Sequence, residues 1–165
     1  MNRKKLIILC GLPASGKSSW ADRYNESHQN ACWVSRDIIR YTFLKETDAY
    51  FAKEEKVYKY FIYTIAYSLK HYDIVIADAT HLNRWSRFKL IDSVNSYIRE
   101  HKLNIEYDLV GINFLTSLET CIERNSNRTG RENVPTHVIE NMYKKFEPIS
   151  NKIDKNFKLI INFEE

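Results

Sequence analysis

Short apolar, β-rich runs recur along the chain at LIILC (6–10), CWV (32–34), IVIA (74–77), IEYDLVGINF (105–114) and KLIINF (158–163). Runs of this kind, bounded by polar residues, read as buried strands. The segments between them carry helical spacing instead. Val57, Phe61 and Ile65 follow i, i+4, i+8, whereas Ile91, Val94 and Ile98, and then Ile139, Met142 and Phe146, follow i, i+3, i+7. A helix is also expected from Lys17 to about Ser27. Pro135 suits a helix start, and Pro148 lies where a helix should have ended. Strands alternating with helices predict an α/β fold with a mainly parallel five-stranded sheet and helices on both faces, a three-layer sandwich. The polar stretch NSNRTGRENVP (125–135) breaks the pattern and reads as a mobile flap.

Composition narrows the picture without redirecting it. A chain of 165 residues, 44% hydrophobic and 13% aromatic, is expected to be one ordered domain over 1–165. The net charge of +4 is a mild basic bias, compatible with a phosphate-bearing partner but not polybasic. Cys10, Cys32 and Cys121 lack metal-ligand spacing and read as reduced core thiols. MNRKK is followed by too few apolar residues for a signal peptide, and no run approaches the length of a membrane span. A soluble, cytoplasmic protein is expected.

Residues 11–18, GLPASGKS, match G-x-x-x-x-G-K-[ST] between a strand and a helix, the context that makes this pattern a phosphate-binding loop. Gly11 and Gly16 allow a backbone whose N–H groups point at phosphate oxygens, and the helix N-terminus adds partial positive charge. Lys17 is expected to reach the β- and γ-phosphates, and the Ser18 hydroxyl to ligate Mg²⁺. Asp78, directly after IVIA, sits where a parallel strand would deliver it to the ligand crevice. It is expected to touch a Mg²⁺-bound water or to pair with an active-site arginine, against the plainer reading of a helix cap.

Two short patterns point elsewhere. DLVG (108–111) and NKID (151–154) fit the D-x-x-G and N-K-x-D signatures of GTPases. Ile112 and Phe114, however, continue the apolar run past Gly111, and NKID follows a helix and Pro148 rather than a strand. The GTPase reading is therefore set aside.

Arg124, Arg128 and Arg131 crowd the flap, and Arg124 and Arg128 would share a face if their helix extended that far. Arginines there suit a lid, at about 123–135, that closes over a triphosphate. A helix is expected around 48–71, and its aromatic stripe Tyr60, Tyr63, Tyr67 reads as core by default, with nucleobase stacking as the alternative. VSRDIIR (34–40) sets Asp37 between Arg36 and Arg40 at a strand's mouth. Trp85 and the four outlying histidines fit no constellation; His81, three residues after Asp78, is the only histidine expected near the site.

On these residues the chain resembles the phage-type polynucleotide 5′-kinase domain and its P-loop kinase relatives. GLPASGKSSWA (11–21), SRDIIR (35–40), ADATHLN (77–83) and ERNSNRTGRENVPTHVIENMYKK (123–145) look like four of that family's motifs, in order. The resemblance implies a P-loop kinase-like fold in which Gly11, Ser15, Gly16, Lys17, Ser18 and Ser19 bind ATP, with Arg124 and Arg128 acting from the lid. It implies Asp37 as general base for a 5′-hydroxyl, with Lys17 and Arg128 also catalytic. Arg40 would grip the acceptor's phosphate and Asp78 would organise the acceptor side. Ala14 replaces a common glycine, His81 stands where asparagine is frequent, and the Asp78 loop looks one residue longer. No phosphatase domain is expected to follow.

The expected function is an ATP- and Mg²⁺-dependent kinase acting on a hydroxyl, the 5′-OH of DNA or RNA foremost, with a nucleic-acid end as partner and no membrane. A small molecule, activated sugar or tRNA-linked group is the alternative acceptor. A nucleotide-dependent switch is the alternative of another class. Arg36 is left unassigned.

Overall fold

Lys4–Cys10 (β1) is apolar on both sides because it lies inside the sheet. Leu6, Ile8 and Cys10 point into one core layer, and Ile7 and Leu9 into the other. A computed structural model describes residues 3–164. Met1, Asn2 and Glu165 of the expected domain lie outside the described residues.

The chain continues through Lys17–Ser27 (α1), Ala31–Ser35 (β2), Arg36–Phe43 (α2), Glu54–His71 (α3), Ile74–Asp78 (β3) and Arg84–Glu100 (α4). Tyr107–Phe114 (β4), Leu118–Ser126 (α5), a 3₁₀ turn at Gly130–Glu132, Thr136–Lys144 (α6) and Phe157–Phe163 (β5) complete it. The five strands lie in the order β2-β3-β1-β4-β5, every neighbouring pair parallel. The register aligns Ile7 with Ile76 and with Val110. Parallel strands bring their C-terminal ends to one edge, where ligands bind in open α/β sheets. The glycine loop after β1, Asp37 after β2 and Asp78 at the end of β3 all arrive there.

The two faces are covered unequally. Val57, Phe61, Ile65 and Leu69 of α3 and Leu90, Val94 and Ile98 of α4 form the larger layer with β1 and β3. The smaller layer holds Ala21 of α1, with Trp20 and Tyr24 against it. Each fully buried large apolar side chain contributes roughly 1.5–3 kcal/mol.

All five expected strands are present, and the segment after the glycine loop and the first two periodic segments are helical; of the third, Ile139 and Met142 lie in the helix Thr136–Lys144 and Phe146 just beyond it. Three details differ. First, α2 is an additional helix: it is only eight residues long, starts directly at the end of β2, and is capped by Ser35, whose Oγ accepts from the Ile38 N–H at 3.3 Å. Second, α3 starts at Glu54 rather than near 48; residues before it form turns, with the Asp48 and Ala52 N–H groups donating to the carbonyls of Lys45 and Ala49. Third, Tyr60, Tyr63 and Tyr67 are exposed, not core, because the opposite side of α3 carries the buried stripe. Cys10 and Cys121 are buried and Cys32 is half-buried, as core thiols should be.

The GTPase patterns are structural. Asp108 lies within β4 and pairs with Arg3 and Lys158, whereas Gly111 makes room for Ile149 and Phe157. A Cβ at position 111 would come within 2.8 Å of Ile149 Cδ1. Asp154 of NKID meets Arg87 of α4, with Nε and Nη2 donating to its two oxygens at 3.0 and 2.7 Å.

Candidate active site

The glycine loop needs its two glycines for different reasons. A side chain on Gly11 would collide with Ser15 Oγ at 2.7 Å and with Phe114, so the close approach itself demands glycine. Gly16 has open space around it but a φ of 96°, a left-handed conformation that opens α1. Ala14 is also left-handed, at φ 62°, which strains an alanine; the family's usual glycine would sit there without cost. Thr80 O holds the Gly11 N–H at 3.0 Å, and Thr116 Oγ1 donates to Ser15 O at 3.1 Å.

Lys17 is buried and donates to Leu12 O at 2.6 Å and to Ser15 Oγ at 3.3 Å, folded back over its own loop. Burial pushes its pKa down; Asp78, and more weakly Asp37, pull it up. Asp78 Oδ2 accepts from Ser18 Oγ at 2.8 Å and from the Trp33 indole at 3.0 Å. Burial raises the Asp78 pKa, with Lys17 opposing. Neither hydrogen bond comes from an arginine, so Asp78 faces the phosphate loop rather than the arginines of the acceptor motif. A hydroxyl–carboxylate pair is a hard-oxygen donor set that suits Mg²⁺.

Asp37 sits in the first turn of α2, where the helix dipole favours an acid. Its Oδ1 accepts from Arg40 Nη1 and from the Tyr50 hydroxyl, the latter at 2.6 Å. Its Oδ2 makes no hydrogen bond among the described residues, and the side chain is 61% exposed. Burial and the neighbouring Asp37 keep the Tyr50 hydroxyl protonated, so it donates.

Arg40 differs from the expected open clamp. It is buried, and Nε, Nη1 and Nη2 all donate within the protein: to Glu54, Asp37 and Tyr50. Its guanidinium also lies 4.4 Å from the Tyr50 ring centroid. Arg36 joins the same cluster through Glu54, so one carboxylate serves two arginines. The acid is thus flanked by Arg40 and Tyr50, not by both arginines.

On the other side of the glycine loop, a cleft of about 560 Å³ is lined by Ser15, Gly16, Ser19, Trp20, Arg124 and Arg128, among others. Both flap arginines do reach the nucleotide side. They do not share a helical face, because α5 ends at Ser126; the Arg128 N–H bonds Asn125 O at 3.0 Å, and this turn carries Arg128 back to the cleft. The expected mobile flap is fastened. Buried Asn125 spans it, donating to Val134 O at 2.7 Å and accepting from the Val134 N–H at 3.0 Å. Arg131 does not line the cleft and instead donates to the carbonyls of Lys45, Glu46 and Asp48.

Sequence reasoning missed Trp33, Tyr50 and Glu54. Trp33 is one apolar letter in a strand, Tyr50 one aromatic among many, and Glu54 an acid in a helix's first turn; none lies in a motif.

His81 is structural. It lies at φ 43°, a conformation asparagine tolerates well, which accounts for asparagine being frequent there in the resembled family. Its Nδ1–H donates to Leu9 O at 2.8 Å, which leaves Nε2 buried without a partner. Burial depresses its pKa to about 3. The unfolded chain takes up a proton near pH 6.5 that the native state refuses, so stability falls as pH drops below that value. The expected loss is about 2 kcal/mol at pH 5. His81→Asn should abolish this loss, as read from urea unfolding at about pH 7.5 and 5; an unchanged pH dependence would exclude His81 as its source.

Among the described residues, no helix is long and apolar enough to cross a membrane. A family model described as an AAA domain matches residues 6–149. A protein of Autographa californica nuclear polyhedrosis virus, described as a candidate bifunctional polynucleotide kinase/RNA ligase, is 27% identical over 161 residues. That match takes in 90% of this chain but only 22% of the viral protein. A fungal RNA kinase superposes with a TM-score of 0.74 at 16% identity, over 99% of this chain and 75% of its own. A chain of the Pnkp1/Rnl/Hen1 complex gives 0.59 at 25% identity, over 79% and 41%.

Proposed function

This chain belongs to the AAA domain family, and on that premise we propose that it is an ATP-dependent kinase phosphorylating the 5′-hydroxyl end of a polynucleotide. The observation that carries the reading is Asp37: an exposed carboxylate fixed through one oxygen, with the other open, in the same field as Lys17 and Asp78. A nucleotide switch has no use for such a group. The viral relative's description and the RNA kinase's likeness in fold support the same acceptor class.

In the proposed mechanism the loop from Gly11 to Ser19 cradles the triphosphate through its N–H groups and the start of α1. Lys17 swings from Leu12 O to the β- and γ-phosphates, exchanging a neutral acceptor for charged ones. Ser18 and Asp78 would hold Mg²⁺, which when bound neutralises the phosphate oxygens. Arg124 and Arg128, from the 123–135 lid, meet the charge that spreads over the transferring phosphoryl group. Asp37 Oδ2 takes the hydroxyl proton as the oxygen attacks in line. Arg40 positions Asp37, and an acceptor phosphate reaching that guanidinium would displace Tyr50 or an oxygen of Glu54.

Radiolabelled ATP with a 5′-OH oligonucleotide, a small-molecule acceptor control and a no-acceptor control tests the reading. Label in the oligonucleotide is expected. Label confined to free phosphate, or to the small molecule, overturns it.

A further inference from the structure

The first two turns of α4 start at the ligand edge of the sheet and carry two large aromatic side chains in the open. Trp85 is 68% exposed and Phe88 is 64% exposed, and at i, i+3 they share a helix face. Burial would have gained each of them a large hydrophobic contribution, so leaving both in water needs a reason.

Cations accompany them. Lys89 Nζ lies 5.3 Å from the Trp85 ring centroid and 4.8 Å from that of Tyr58. The Arg36 guanidinium lies 5.1 Å from the same Tyr58 ring. Contacts therefore run without a break from Asp37 through Arg40, Glu54, Arg36, Tyr58 and Lys89 to Trp85. Two acids along this row are committed, Glu54 to the two arginines and Glu147, near the start of α4, to the Arg84 N–H, whereas Asp92 of α4 adds negative charge near Tyr58. Lys89 forms no ion pair among the described residues. Arg36 Nε is buried and finds no acceptor among the described residues.

Exposed rings interleaved with cations, one of which, Lys89, has no ion pair among the described residues, match one chemistry. Bases stack on the rings, and phosphates meet the cations. We propose that Trp85 and Phe88 form a stacking platform for the bases of a single-stranded nucleic acid whose 5′ end lies at Asp37, with Lys89 and Arg36 meeting its phosphates. The proposal rests on the polynucleotide reading and extends it: affinity comes from the nucleotides behind the reacting end.

The test uses the whole chain, a fluorophore-tagged 5′-OH oligouridylate of about ten nucleotides, and a nucleoside 3′-monophosphate as the shortest acceptor. Without ATP, Trp85→Ala/Phe88→Ala should weaken binding of the oligomer by roughly 10-fold or more, with Trp85→Phe retaining most of the affinity. With ATP, the double variant should raise KM for the oligomer by a similar factor and leave KM for the monophosphate and for ATP unchanged. Wild-type affinity for the oligomer in the double variant overturns the platform. So does a changed oligomeric state with unchanged oligomer affinity, which would mark a protein interface. Binding needs no turnover, so the two readings fail separately: Trp85-dependent binding without transfer sinks the kinase, and transfer with an unaltered oligomer KM sinks the platform.

Discussion

Replacing Asp37 with asparagine should lower kcat for phosphoryl transfer by roughly 10²- to 10⁴-fold while sparing ATP binding, the usual span for losing a general base. The substitution separates chemistry from architecture. The carbonyl of the new amide can still accept from Arg40 or Tyr50 in place of Oδ1, so the cluster has no reason to collapse. What the amide cannot do is take a proton at the second position. Single-turnover transfer measured beside an ATP titration reads the two effects apart. Near-normal turnover in Asp37→Asn would remove Asp37 from the chemistry. Loss of ATP binding as well would mean the variant had disturbed the glycine loop.

Arg87→Met should cost the fold about 3–5 kcal/mol, the range for stripping one partner from a buried ion pair. Arg87 is fully buried, and its guanidinium ties three separated segments together. Nε and Nη2 hold Asp154, whereas Nη1 donates to His81 O at 3.1 Å and to Glu147 O at 2.8 Å. Methionine fills much of the space but leaves an uncompensated carboxylate inside. Adding Asp154→Leu should recover a large part of the loss, because a charge pair and its apolar replacement are often close in energy. Recovery should stay incomplete, since the His81 and Glu147 carbonyls lose a donor in either background. Denaturant unfolding of both singles and the double closes the cycle. Additive single effects would show that the pair is not coupled.

The strands were legible because burial on both faces leaves continuous apolar runs, and the longer helices because one face packs and the other does not. α2 escaped because it is only eight residues long and begins where β2 ends, so its one apolar pair, Ile39 and Phe43 at i, i+4, is too short a repeat to announce a helix. At the site, GLPASGKS fixed its own geometry, since close approach and positive φ demand particular residue types. Glu54 and Tyr50 are different. They reach Asp37 and Arg40 only because of how the 44–53 segment turns, and nothing local announces that path. Arg87 stands in no motif, and Asp154 stands in a guanine signature already set aside. Their meeting, 67 residues apart, belongs to the tertiary fold alone. Trp85 was visible but mute until its exposure and its cationic neighbours were known.

The grip of Arg131 on the carbonyls of Lys45, Glu46 and Asp48 joins the nucleotide-side segment to the turns that present Tyr50 to Asp37. Displacing either segment therefore strains or releases the other. Where two ligands bias one shared element, thermodynamic reciprocity makes each change the other's affinity by the same factor. Under the proposed mechanism the brace would tie the two half-sites together, so that enclosing the donor nucleotide and presenting Tyr50 to Asp37 would favour each other.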